Sequence, residues 1–300
     1  MKDNKIAHLI TKLDLPEQFE RYCSLYFEPI AEIIDKLAWQ HQTPVIAING
    51  SQGSGKTTAA IMLQTLLETK YAHRVAIVSI DDFYHSKEKR YELSKSLHPL
   101  FITRGVPGTH DITLALQTLK QLKMVSKGET VLIPRFDKAT DDRKPENQWH
   151  RIEGPVSVII FEGWCVGSPS LEPHSLAQPI NELERIEDKE GIWRKTSNQF
   201  LQKQYQTLFQ QINWLLMLKA PSFDIVFQWR LLQEQKLKKI LATAPAATKV
   251  SLLDEYQLKR FIQHYQRLTE HNLSTIPKLA DAVIILNEQH QMTHLQFNNI

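Results

Sequence analysis

The run Gly50-Ser51-Gln52-Gly53-Ser54-Gly55-Lys56-Thr57 constrains this chain more than any other feature. It follows a short continuous apolar stretch, Val45–Ile48, and precedes Ala59–Leu67, where apolar residues return at helical spacing. A glycine-rich turn between a buried strand and a helix fits G-x-x-x-x-G-K-[ST] without a mismatch. Glycines let backbone N–H groups turn inward as an anion nest, and the helix N-terminus adds partial positive charge. In that frame Lys56 reaches the β- and γ-phosphates and Thr57 offers a hydroxyl to Mg²⁺, with Thr58 beside it. Gly50 to Thr58 are therefore candidate contacts to a nucleoside triphosphate. A chance match is a poor alternative, because only 10 of the 300 residues are glycine, against a usual ~7%.

The rest of the chain alternates between two periodicities. Phe19, Tyr22, Tyr26, Ile30, Ile33, Ile34 and Leu37 predict a helix within 15–41, with Pro29 a possible kink. Val75–Ile80 and Val156–Phe161 read as buried strands, Val131–Pro134 as a short one, and Trp214–Leu218 and Ala282–Leu286 as later ones. Leu114–Leu122, Leu201–Ile212, Ile225–Ile240 and Leu258–Leu268 have helical spacing. Residues 168–198 are polar and contain Pro169, Pro173 and Pro179, which predicts a long irregular insertion; an Ala/Thr/Pro stretch fills 242–248. Strands alternating with helices predict an α/β fold, a parallel sheet with helices on both faces. It reads as one domain, with a helical extension over 1–43 and a core over 44–290.

Several functional classes are disfavoured. The 36 basic and 33 acidic residues nearly balance at +3, and the densest basic patch, Lys87–Arg90, contains Glu88; nucleic acid is not the expected partner. No apolar run approaches the ~18 residues of a membrane span, and no secretory pattern opens the sequence. Cys23 and Cys165 read as buried thiols in a reducing compartment, so a cytoplasmic location is expected. His290 and His294 have i,i+4 spacing, but they lie in a polar C-terminal tail with no acid between them. No pattern specifies an oligomeric state.

Acids follow two of the strands. Ser79-Ile80 runs into Asp81-Asp82-Phe83-Tyr84, and Phe161 into Glu162-Gly163-Trp164. Carboxylates at the C-terminal ends of parallel strands face the crevice where open α/β sheets bind ligands. There an aspartate can orient or deprotonate a hydroxyl, and a glutamate can hold Mg²⁺ or its water. An aspartate pair capping the next helix is the plainer alternative. Between the strands lie the turn Arg104-Gly-Val-Pro-Gly-Thr-His110-Asp111 and the charged segment Ile133-Pro-Arg135-Phe-Asp-Lys138. Either could be an ordinary surface loop. Trp229-Arg230 lies on a late amphipathic helix, as a core aromatic beside a solvated arginine or as part of a lid.

The phosphate loop, DDFY, RGVPGTHD, IPRFDK, FEGW and WRLLQE, in this order, resemble the phosphoribulokinase/uridine kinase class of P-loop kinases, and within it the D-glycerate 3-kinase group. The resemblance covers about 44–290. It implies ATP-dependent phosphorylation of a hydroxyl on a small metabolite, with ATP and Mg²⁺ as cofactors and a helical lid. It implies catalytic roles for Lys56, Asp81 and Glu162, with Asp82 the second choice for the acceptor hydroxyl. Thr57, Glu162 and Asp81 would serve Mg²⁺, and Arg230 would be a lid arginine on ATP. Asp111 matches an acid that binds acceptor hydroxyls, and Tyr84 and His110 fall in the acceptor region. A glycerate carboxylate would need a cation, with Arg104 and Arg135 as candidates. Phe136 stands where the family pattern has a tyrosine. Pantothenate, nucleosides and sugar phosphates are alternative acceptors; a nucleotide-driven ATPase or switch is the other class.

Overall fold

The stretch Val45–Ile48 has no polar side to offer water. In the computed structural model it forms β1 (Val45–Gly50), buried along its whole length, as expected for a parallel strand covered on both faces. The structure describes residues 3–242 and 254–298. Helices α1 (Asp3–Lys12), α2 (Gln18–Tyr22) and α3 (Glu28–Gln40) precede β1. It is followed by α4 (Lys56–Lys70), β2 (Val75–Ser79), α5 (Lys87–Ser96) and α6 (Ile112–Met124). Next come β3 (Thr130–Ile133), β4 (Phe136–Asp137), β5 (Asp142–Arg143), β6 (His150–Glu153) and β7 (Val158–Gly163). The remainder is α7 (Glu182–Glu187), α8 (Ile192–Phe200), α9 (Gln206–Phe209), β8 (Trp214–Lys219), α10 (Phe223–Ala242), α11 (Glu255–Leu279), β9 (Ala282–Leu286) and β10 (Met292–Phe297).

The six-stranded sheet has the order β10-β9-β8-β1-β7-β2. All neighbours are parallel except β10, which runs antiparallel to β9. Alternate residues of β1 face two apolar layers, as the strand period requires. Ile46 and Ile48 pack with α3, α4 and Trp229 of α10; Val45 and Ala47 pack with α6, α9 and α11. Burying each such isoleucine stabilises the fold by about 1.5–3 kcal/mol. Register does the rest of the positioning. Ile48 and Ser79 both pair with Glu162, so the chain exits from β1, β7 and β2 side by side at one edge. The expected α/β architecture is present. Among the described residues, no helix is long and apolar enough to cross a membrane.

The helix predicted over 15–41 is present as one continuous helical run from Gln18 to Gln40, with a π-helical turn at Cys23–Phe27 just before Pro29, where the missing proline N–H interrupts the hydrogen-bond ladder. Three expectations need correction. The strand at 131–134 is outside the main sheet and pairs antiparallel with β6. The polar tail holding His294 is β10, an edge strand whose Met292 is buried while its polar residues face water. Residues 168–198 are not wholly irregular, since they contain α7 and the start of α8. The prolines lie outside those helices, and Asp188 is buried because it accepts hydrogen bonds from the free Trp193 and Arg194 N–H groups at the start of α8. Leu183 and Trp193 form a small separate core with Leu100, Phe101 and Val106, so this segment supports the 104–111 turn. The stretch 242–248 lies, beyond Ala242, outside the described residues.

Candidate active site

The three adjacent strand ends open into a cleft of about 430 Å³, within the usual range for small-molecule sites. Its floor is the loop after β1. A side chain at Gly50 would place its Cβ 2.5 Å from Ser54 Oγ and 3.0 Å from the Leu218 carbonyl oxygen, so only glycine lets the loop curl this tightly. Among the described residues, Ser51 Oγ, Ser54 Oγ and Gln52 Oε1 are buried and have no protein hydrogen-bond partner, which leaves them to water or a polar ligand. The Lys56 ammonium donates to the Ser51 carbonyl oxygen at 3.0 Å. Burial lowers its pKa, while Glu162 and Asp81 oppose that shift.

Glu162, the penultimate residue of β7, accepts a hydrogen bond from Thr57 Oγ1 at 3.2 Å. Burial raises its carboxyl above the ordinary range, against the pull of Lys56. Among the described residues, no group of three or more His, Cys, Asp or Glu side chains could hold a metal by itself. A hydroxyl beside one carboxylate suits Mg²⁺, which keeps several waters and completes its shell with substrate phosphates.

The 3₁₀ turn Ile80–Phe83 after β2 separates the two aspartates. Asp81 lines the cleft and accepts from Lys138 Nζ at 2.8 Å. Burial alone would raise its carboxyl, but Lys138 and Lys56 overcome this and hold it down to about 2. Asp82 points away: it accepts from Arg135 Nη1 at 2.7 Å and from the Phe136 N–H at 3.0 Å. It thereby fixes the start of β4.

The expected acceptor residues divide in the same way. Tyr84 and Arg104 line the cleft. Arg104 lies 5.7 Å from the Phe136 ring centroid and 5.8 Å from that of Phe261, and forms an ion pair with Asp141. Three others do not line the cleft. His110 is buried, stacked on the Tyr84 ring at 4.2 Å and hydrogen-bonded through Nδ1 to Tyr205 Oη at 2.6 Å. Asp111 caps α6 by accepting from the Leu114 N–H and forms a loose pair with Arg143 at 3.4 Å. Arg135 is engaged with Asp82. Arg230 does line the cleft, but its guanidinium is bonded along its own helix to Gln233 and Glu234, each at 2.7 Å.

The cleft also contains residues to which the sequence patterns gave no role in it: Lys138, Phe261 and Tyr265, with Gln233 and His290 near the phosphate loop. Lys138 ends IPRFDK, so a signal existed. Tyr265 carries only the spacing of a core aromatic, yet its hydroxyl donates to the Arg104 carbonyl oxygen at 3.0 Å. Its ring lies so close to Gly105, whose φ is +145°, that a Cβ there would come within 2.5 Å of it.

Comparison with known proteins gives the same reading. A family model described as Phosphoribulokinase / Uridine kinase family matches residues 45–167, from β1 to just beyond β7. The uncharacterized kinase mug58 of Schizosaccharomyces pombe is 34% identical over 232 residues, 74% of this chain and 78% of that protein. The chain belongs to the phosphoribulokinase/uridine kinase family. It is an ATP-dependent small-molecule kinase. The chloroplastic D-glycerate 3-kinase of Arabidopsis thaliana is 31% identical over 202 residues, 65% of this kinase but 42% of the plant protein. The kinase thus spans less than half the length of that relative. The solved structure of a D-glycerate 3-kinase from Cryptococcus neoformans superposes with a TM-score of 0.74 at 25% identity, covering 90% of this chain and 98% of the other.

Proposed function

We propose that this kinase phosphorylates a hydroxyl of a small hydroxy acid, D-glycerate foremost. One observation carries the reading: Arg104 faces the same cleft as Asp81, and its guanidinium already holds a carboxylate, that of Asp141. A seat of this kind accepts a substrate carboxylate through the planar, two-donor edge of the guanidinium. The names of the plant and fungal relatives support the same acceptor. The engagement of Asp111 as a helix cap weighs against a nucleoside, whose hydroxyls that acid would have to bind.

The roles follow from placement. The loop Gly50–Thr57, with Thr58 behind it, holds the triphosphate on its N–H groups, and Lys56 moves from the Ser51 carbonyl to the phosphate oxygens. Asp81 accepts a hydrogen bond from the acceptor hydroxyl and aims its oxygen at the γ-phosphorus. The new O–P bond forms as the bond to the β,γ-bridging oxygen breaks. That electron pair leaves on ADP, and the hydroxyl proton passes to Asp81. Thr57 and Glu162, with Asp81 nearby, would hold Mg²⁺, which supplies charge neutralisation on the phosphates. The two free, buried cysteines fit a reducing compartment such as the cytoplasm.

The test is ADP release measured over D-glycerate, pantothenate, uridine and ribulose 5-phosphate. D-Glycerate should give the highest kcat/KM. A neutral acceptor turning over faster than any hydroxy acid would overturn the proposal.

A further inference from the structure

The hairpin formed by β4 and β5 is anchored at three points. Asp82 holds the Phe136 N–H, Arg143 donates to the Tyr84 carbonyl oxygen at 2.9 Å, and the fully buried Arg90 bonds both the side chain and the main chain of Asp141. Its tip carries Lys138, whose side chain is 63% exposed and rests its ammonium on Asp81. A fixed backbone with a long, exposed stem delivers one mobile charge to one place.

Phosphoryl transfer spreads negative charge over oxygens that a positioned cation can stabilise. Lys56 supplies one such cation. Arg230, the expected second, is occupied by Gln233 and Glu234 on its own helix. Arg104 is engaged with Asp141. An ammonium has three N–H donors, and Lys138 uses one of them on Asp81. It shares the cleft with Lys56 and Glu162, and its charge acts on both.

We propose that Lys138 is a further catalytic residue of this kinase, bridging Asp81 and the oxygens of the phosphoryl group in flight. The inference rests on Asp81 being the residue that receives the acceptor hydroxyl. As the acceptor oxygen bonds phosphorus and the β,γ-bridging oxygen departs with its electron pair on ADP, the hydroxyl proton neutralises Asp81. Lys138 then loses its counter-ion at the moment the phosphate ester forms beside it, and its full charge turns to the product.

A mutant cycle tests this. Lys138→Met should lower kcat with D-glycerate by about 10²-fold, leave the Kd for ATP within about threefold, and reduce acceptor-free ATP hydrolysis as well. Lys138→Arg should recover part of the loss. Thermal unfolding of both variants should stay close to the parent, since an ion pair made by a largely exposed lysine adds little to stability. In an Asp81→Asn background, Lys138→Met should still cost at least about tenfold, in kcat and in acceptor-free hydrolysis. No further loss in that background would mean that Lys138 acts only through Asp81, and the proposal would fall. Should Asp81→Asn alone keep the parent kcat, the reading of Asp81 fails instead, and the Lys138→Met loss in acceptor-free hydrolysis still decides whether the lysine touches the phosphoryl group.

Discussion

Replacing Arg104 by alanine isolates the carboxylate seat. A charge-assisted contact contributes about 1.5–3 kcal/mol, and 1.4 kcal/mol is a factor of ten. The KM for D-glycerate should therefore rise roughly 10- to 150-fold, with a much smaller change in the KM for ATP. The fold should survive. Arg104 leaves two ring faces, worth about 0.5–1 kcal/mol each at exposed sites, and a partly exposed ion pair worth about 0–1 kcal/mol. Asp141 keeps its second partner, Arg90 at 2.9 Å, so no buried charge is stranded. The total is a fraction of the ~5–15 kcal/mol that holds a typical domain together. Initial rates of ADP release, with D-glycerate and glycerol as paired acceptors, read the effect. Discrimination between them should collapse in the variant, and Arg104→Lys should recover only part of it, because an ammonium cannot present the two-donor edge. A variant whose KM for D-glycerate moves less than threefold while it still rejects glycerol would refute the seat.

Further outcomes follow from the same geometry. Asp81→Asn should lower kcat by about 10²–10⁴-fold with little change in ATP affinity. Asp82→Asn should chiefly lower Tm, since that side chain anchors Arg135 and the Phe136 N–H; the opposite pattern in kinetics and calorimetry would exchange their roles. The acid limb of kcat/KM should come from Glu162. Its carboxyl is raised by burial, so activity should fall as pH drops toward a midpoint above the ordinary ~4.3 of glutamate, whereas Asp81, held at about 2, stays ionised there. A limb centred below pH 4 would contradict this. Arg194→Ala breaks a 2.9 Å pair with the fully buried Asp188 and should cost about 3–5 kcal/mol, seen as a reduced midpoint in chemical denaturation.

What was legible in the sequence follows the reach of local rules. The loop 50–57, Asp81 and Glu162 are each attached to an apolar strand, so a strand period and a loop motif were enough to place them. The family resemblance put Asp81 before Asp82, but strand period alone does not separate the two, and nothing in the sequence separated Arg135 from Arg104. One residue of rotation in a 3₁₀ turn decides which aspartate faces the cleft, and the Asp82–Arg135 pair spans 53 residues of sequence. Asp188 and Arg194 escaped for the reverse reason: charges read as solvated, yet these two are buried because each meets the other and a helix terminus. Tyr265 was hidden by its helical spacing, which is the same whether an aromatic fills the core or edges a cleft.

The split between the legible and the hidden parts matches a division of labour in the site. The phosphate end is built by strand exits of the central sheet, where backbone register leaves little freedom. The acceptor end of the proposed site is assembled from the turn at 104–111, the β4–β5 hairpin and one edge of α11. These pieces are linked to one another by an ion pair, ring contacts and a side-chain hydrogen bond rather than by sheet hydrogen bonds. Asp141 shows how such an arrangement can exchange partners at low cost. It is shared by Arg90, which is buried and immobile, and Arg104, which faces the cleft. When a substrate carboxylate takes Arg104, Asp141 remains neutralised by Arg90, so the exchange swaps one carboxylate for another without uncovering a charge. A neutral acceptor offers no such exchange and gains nothing from Arg104. In the proposed function, selectivity for an acid therefore resides in a pair of arginines sharing one aspartate, outside the central sheet.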